Sequence, residues 1–176
     1  IEHESVLEPT SLYQNQLLKV DKNGFVDLGD LSKKINDDVV LVSVAQANNE
    51  IGTVQPLKQI CQIIEQARHD RAKRGVKRPL YLHSDSCQAA GHLDIHVHSL
   101  GVDLMSINGG KIYGPKQAGV LYVGTNVKLK PQILGGGQQR GLRSGSQDAA
   151  NAVGLAKALD IAQSIKAGES KRVQAL

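Results

Sequence analysis

The chain has 176 residues, of which 40% are hydrophobic and 22% charged, with a net charge of +4, no Trp and a single Phe. That length is enough for one domain that buries about 70% of its unfolded surface, and no apolar run reaches the roughly 18 residues that a membrane-spanning helix needs. Two cysteines, Cys61 and Cys87, without a C-x-x-C pair argue against a disulfide framework or a zinc site and fit a reducing, cytoplasmic setting.

The chain opens on Ile1-Glu2-His3 rather than Met, which puts its native start upstream. Residues 1–7 read as the start of a helix stopped by Pro9, and residues 17–20 as a short strand. Asp21-Lys22-Asn23-Gly24 is a turn, and residues 27–35 suit a short helix. Residues 39–45 form a β-branched apolar run without alternation, the pattern of a strand buried on both faces in a parallel sheet. The polar stretch after it contains Asn48 and Asn49. These either close a turn or hydrogen-bond a ligand, because ligands of open α/β sheets sit beyond the carboxyl ends of the strands.

Pro56 opens the clearest helix, at the position where proline is tolerated. Leu57, Ile60, Cys61, Ile64 and Ala67 recur at helical spacing, so Cys61 is expected in the core. The helix runs into Arg68, Arg71, Lys73, Arg74, Lys77 and Arg78. Cations suit a helix end, and with no aromatics to stack bases a nucleic-acid footprint is disfavoured. Residues 79–83 are the next strand. Asp85 comes just after it, where it can cap the next segment or hold a cationic ring nitrogen. His92, Asp94, His96 and His98 alternate, so a strand would place them on one face, yet no closed metal-ligand set is evident.

A short apolar run then ends in Asn108-Gly109-Gly110, and Lys111 follows at once. This reads as a buried strand that runs into a tight loop, whose glycines permit close approach and positive φ. A lysine at such a strand end is placed for desolvation, which favours the neutral, nucleophilic amine. Residues 118–123 are a strand. Residues 135–146 form a glycine-rich loop with Arg140 and Arg143 that can cradle an anion, but they do not match a P-loop. Asp148 caps a last helix, with Ala152, Leu155, Leu159 and Ala162 on its packing face.

Strands alternate with helices, which predicts an α/β layered fold with a mainly parallel sheet over residues 1–176. Asn49, Asp85 and Lys111 follow successive strands. An acid for a pyridinium nitrogen and a lysine for a Schiff base are the parts that a pyridoxal 5′-phosphate (PLP) site requires.

Glu2-His3 with Val6-Leu7, Asn48-Asn49-Glu50-Ile51-Gly52, Asp85 with Gln88, Lys111-Ile112-Tyr113-Gly114-Pro115-Lys116 and the glycine-rich loop occur in an order and spacing that resemble the cysteine desulfurases of the NifS/IscS type, in the class V aminotransferases of PLP fold type I. The resemblance implies the three-layer large domain of an aspartate aminotransferase-like PLP transferase, here in part, without an N-terminal segment and a C-terminal small domain. It also implies roles. Lys111 would join PLP covalently and move the substrate Cα proton. Asp85 would pair with the ring nitrogen, Gln88 with the ring oxygen, and His3 would stack on the ring and share in proton transfer. Asn49 would lie near cofactor and substrate carboxylate, and Asn108 would donate to the phosphate. Ser146, where the family has Thr, would reach the phosphate of a neighbouring subunit, which implies a homodimer.

The implied reaction takes L-cysteine to L-alanine and an enzyme-bound persulfide, for a sulfur-acceptor or iron–sulfur scaffold protein, in iron–sulfur cluster assembly or tRNA thiolation. Gly110 stands where the family usually has His. Cys87 is not the persulfide-forming cysteine, which in the family lies downstream together with the arginine that grips the substrate carboxylate. This chain alone is therefore expected to be inactive. Rival readings are another class V PLP enzyme, such as a selenocysteine lyase or an aminotransferase, and a non-catalytic PLP-fold remnant acting as a structural or partner-binding subunit.

Overall fold

The computed structural model describes residues 1–176 throughout. Its centre is a four-stranded sheet in the order β1 (Leu41–Ser43), β2 (Tyr81–Asp85), β3 (Leu104–Asn108), β4 (Gly119–Val123). The first three strands are parallel, and β4 returns antiparallel to β3. Around them lie α1 (Glu4–Ser11), α2 (Leu28–Lys34), α3 (Leu57–Lys73), the short α4 (Val97–Leu100) and the long α5 (Ala149–Gln174). The expected α/β fold with a mainly parallel sheet is the one found.

Parity along the strands decides where the core sits, because successive side chains point to opposite faces. The register places Val42, Leu82 with Ser84, and Met105 with Ile107 on one face. These apolar residues share a single core with Leu57, Ile60 and Ile64 of α3, Leu31 of α2, Leu100 of α4 and Ala162 of α5. The other face carries Ser43, His83 and Ser106. His83 joins the two hydroxyls across three strands, with Nδ1 2.8 Å from Ser43 Oγ and Nε2 2.9 Å from Ser106 Oγ. Burial lowers the basicity of this imidazole, against the pull of Asp85.

Several expectations need correction. Pro9 does not stop α1, which continues to Ser11. Residues 17–20 form no strand; a single bridge, Val20 to Val26, closes the turn at Gly24. The 39–45 run is not buried on both faces, because β1 is an edge of this sheet and Val40 and Leu41 are exposed. His92, Asp94, His96 and His98 do not share a strand: His96 precedes α4 and His98 lies within it. Ala152 is exposed, whereas Leu155 and Ala162 pack inward.

The basic stretch at the end of α3 is largely engaged in the fold. Arg68 pairs with Asp103 and Glu65, Arg74 with Asp37 at 2.5 Å, and Arg78 with Asp38. Arg71 is only 3% exposed. Its guanidinium donates to the carbonyls of Asn36, Val39 (2.8 Å) and Pro79 (3.3 Å), the backbone that leads into β1 and β2. A buried charge is tolerable where it is hydrogen-bonded, and here Arg71 fastens the starts of the two strands whose far ends carry the site.

Candidate functional site

The polar residues singled out from the sequence gather beyond the carboxyl ends of β1, β2 and β3. They line a cavity of about 120 Å³ that contains His3, Asn49, Asp85, Gln88, Asn108 and Lys111, together with Asn48 and Cys87. Its rim is open to solvent, since His3, Asn49, Asn108 and Lys111 are exposed while Asp85 and Gln88 are half-buried. Ser146 lies outside the cavity and is exposed. A larger groove of about 550 Å³ lies between α2 and α3. It is lined by glutamines and by charged groups of the helix flank, with no strand end among them, so it lacks the convergent chemistry of the smaller cavity.

Each element places its residue for a local reason. Asp85 ends β2, and its Oδ1 accepts the Cys87 N–H at 2.9 Å, turning the chain out of the sheet. Ser86, fully buried, donates to Gln46 Oε1 at 2.8 Å, and Gln46 Nε2 donates to the Asp94 carbonyl at 2.8 Å. The Gln46 N–H meets the Asp85 carbonyl at 2.8 Å. The loops after β1 and β2 are thus locked together by satisfied buried polar groups, which rigidify the site.

The two readings offered for Asn48 and Asn49 separate. Asn48 closes the turn, its Oδ1 accepting the N–H groups of Glu50 and Ile51, while its amide donates to the Ile1 carbonyl at 3.0 Å. Asn49 is left at the cavity rim.

β3 ends at Asn108, and a single 3₁₀ turn, Gly109–Lys111, presents the lysine. Asn108 Oδ1 caps this turn by accepting the Gly110 N–H at 2.8 Å, which leaves its amide N–H₂ available as a donor. Neither Gly109 nor Gly110 takes positive φ; Tyr113, at φ 60°, does so instead. Lys111 is exposed, so these 176 residues do not themselves provide the expected desolvation of its amine. Gly110 is not demanded by the backbone either: an added Cβ would lie 3.2 Å from Asn108 Oδ1 and 4.0 Å from Lys116 Cα.

Glu2 is the residue that sequence reasoning left without a role. Its Oε1 accepts the Ala45 N–H at 2.6 Å, and its Oε2 is buried without a partner. Burial raises its carboxyl above the usual range and the charge of Asp85 adds to this, against the Ala45 hydrogen bond and the terminal ammonium. No spacing rule marks such a residue, because its burial is created by chain more than 40 positions away.

Cys87 faces the same cavity, and burial, the hydrogen bond to Asp85 and the Asp85 charge together push its thiol up to about 12, with Lys111 pulling the other way. Burial also raises Cys61, which donates to the Gly101 carbonyl at 3.4 Å. Only the thiolate is strongly nucleophilic. At pH 7.5, iodoacetamide is therefore expected to modify Cys87 at least ~100-fold more slowly in the folded chain than in urea, and Cys61 also more slowly. Peptide mapping at timed quench points checks this, and native labelling at the rate of a free thiol would contradict the burial of Cys87.

The comparisons with known proteins agree with this fold. The family model described as aminotransferase class-V matches residues 1–175. The Archaeoglobus fulgidus protein named cysteine desulfurase IscS 1 is 42% identical over all of this chain and 44% of its own length. A solved structure titled NifS-like protein superposes with a TM-score of 0.87 at 35% identity, covering 97% of this chain and 46% of that one. Another, titled SspA in complex with cysteine, gives 0.80 at 33% identity, over 91% of this chain and 45% of that one. The chain thus spans less than half the length of the relatives it matches. Its sheet, its cavity at the strand ends and a family match that stops one residue short of the last make it a member of the class V aminotransferase family.

Proposed function

We propose that this chain is the cofactor-holding part of a PLP-dependent cysteine desulfurase. The observation that carries the reading is the convergence of Asp85 and Lys111, from the ends of adjacent parallel strands, on one cavity. The donor set fits the cofactor. A carboxylate suits a protonated ring nitrogen, the Gln88 amide a ring oxygen, and the uncommitted Asn108 amide a phosphate. When bound, PLP supplies an electron sink for the bonds around the substrate Cα. Lys111 Nζ would hold the cofactor and carry the substrate Cα proton, and Asp85 would keep the ring nitrogen protonated. His3 would pack against the ring, and Asn49 at the rim would orient the substrate carboxylate.

The substrate in this reading is L-cysteine, the ligand named with one relative of known structure. The reaction balances as L-cysteine plus an enzyme thiol giving L-alanine plus an enzyme persulfide: the substrate C–S bond breaks, an S–S bond forms, and the thiol proton goes to alanine. Neither Cys61 nor Cys87 suits that thiol, so it comes from outside these residues. The sulfur would pass to an acceptor or iron–sulfur scaffold protein in the cytoplasm. Ser146, exposed and outside the cavity, would serve the phosphate of a second copy in a homodimer.

In the whole protein, L-cysteine is expected to give equal amounts of alanine and persulfide sulfur, while the 176-residue chain with PLP gives no alanine above background. Amino-acid analysis and a sulfide-release assay check both. Transamination products without sulfur would overturn the reading in favour of another class V enzyme.

A further inference from the structure

The imidazole of His3 reaches the cavity on a segment with few ties of its own. α1 buries none of its residues, and His3 itself is exposed. Its ring is oriented locally: Nδ1 accepts the Ser5 N–H at 3.1 Å and lies 2.8 Å from Ser5 Oγ. Those bonds turn the ring but do not fix where the segment stands. Two long-range hydrogen bonds do. Asn48 Nδ2 donates to the Ile1 carbonyl at 3.0 Å, and the Ala45 N–H donates to Glu2 Oε1 at 2.6 Å.

The second bond is the stronger kind, because a carboxylate acceptor shortens and strengthens an N–H···O contact. It also lands next to the chemistry: Ala45 is buried, lines the cavity, and is adjacent to Gln46, whose N–H is bonded to the Asp85 carbonyl. The other carboxyl oxygen is buried with no partner. Such an orphan calls for an explanation, since burying an unpaired polar atom costs stability.

We propose that Glu2 is a positioning residue for His3: by gripping the Ala45 amide it fastens the segment so that the imidazole stands over the cavity that holds Asp85 and Lys111. Gripping backbone rather than a side chain ties the placement of His3 to the same loop that is locked to Asp85. The role of the imposed placement rests on the cofactor reading above, whereas the fastening itself does not. A glutamine keeps the acceptor for the Ala45 N–H, and an alanine removes it.

The test compares the unsubstituted chain, Glu2→Gln and Glu2→Ala by NMR, following Ala45 amide exchange and the chemical shifts of the His3 ring. PLP is then added, the absorbance of the adduct is read, and borohydride reduction then maps the labelled residue. In Glu2→Ala, Ala45 exchange is expected to quicken by at least ~10-fold, the His3 ring shifts to move to those of an unfolded peptide, and the absorbance maximum of PLP on Lys111 to shift. Glu2→Gln is expected to keep all three. His3 shifts that stay unchanged in Glu2→Ala, or move as far in Glu2→Gln, would overturn the proposal. If Glu2→Ala fails to fold, the His3 shifts in Glu2→Gln decide. Lack of PLP on Lys111 in the unsubstituted chain would sink the cofactor reading while leaving the anchoring result intact.

Discussion

Borohydride reduction of the chain mixed with PLP is expected to leave one pyridoxyl group, on Lys111, and Lys111→Ala is expected to lose all of it. Selectivity among the lysines cannot come from burial, since Lys111 is exposed. It has to come from the other cavity groups. PLP bound through Asp85, Gln88 and Asn108 would present its aldehyde to Lys111, whose side chain is the one lysine amine that lines the same cavity. Holding two reactants together in this way is worth large effective concentrations, so one site should label well before the remaining lysines. Asp85→Ala is expected to weaken that preference without removing the amine. Mass mapping of reduced peptides at limiting PLP reads both variants. Label spread evenly over surface lysines, unchanged in Lys111→Ala, would remove the basis for assigning a PLP site here.

Gly114→Ala is expected to destabilise the chain by about 1–3 kcal/mol, while Gly168→Ala on α5 stabilises it by about 0.5–1 kcal/mol. The lysine turn sits on α5 through three glycines. A Cβ at Gly114 would come 2.9 Å from Ala158 Cβ and 3.0 Å from the Gly109 carbonyl oxygen. One at Gly109 would come 2.9 Å from the Pro115 carbonyl oxygen, and one at Gly154 2.7 Å from Pro115 Cγ. Backbone, a proline ring and a β-carbon cannot swing aside, so the loop must lift from the helix. Gly168, by contrast, has nothing within 4 Å, so alanine there only removes backbone freedom from the unfolded chain and favours the helix. For a chain of this size each kcal/mol moves the melting temperature by about 2–4 °C. Because the lifted turn carries Lys111, Gly114→Ala should also lower PLP labelling, and Gly168→Ala should not. Melting curves and reduced-peptide maps of the two variants read both effects.

The cavity shows what reading the chain in order can reach. Asp85 and Lys111 each follow an apolar run whose strand character is local, so their position at a carboxyl edge follows from pattern alone. Gln46 and Ser86 were not legible, because an amide and a hydroxyl 40 positions apart meet only once β1 and β2 are paired. Arg71 was read with its neighbours as part of a solvated helix end, yet it turns inward onto three carbonyls. The alternation of His92, Asp94, His96 and His98 carries no site, because period-two spacing also occurs by chance in loops and short helices.

The sequence by itself determined the α/β class, the parallel strands, the α3 and α5 helices and the residues at the strand ends, since each of these rests on short-range periodicity, capping and turn chemistry. Only the tertiary structure decided that the lysine turn rests on α5 through glycines, that Gln46 and Ser86 lock the loops after β1 and β2, and that Glu2 holds the segment bearing His3. Those outcomes depend on which surfaces meet across tens of residues, and no local pattern encodes the partner that a buried atom will find.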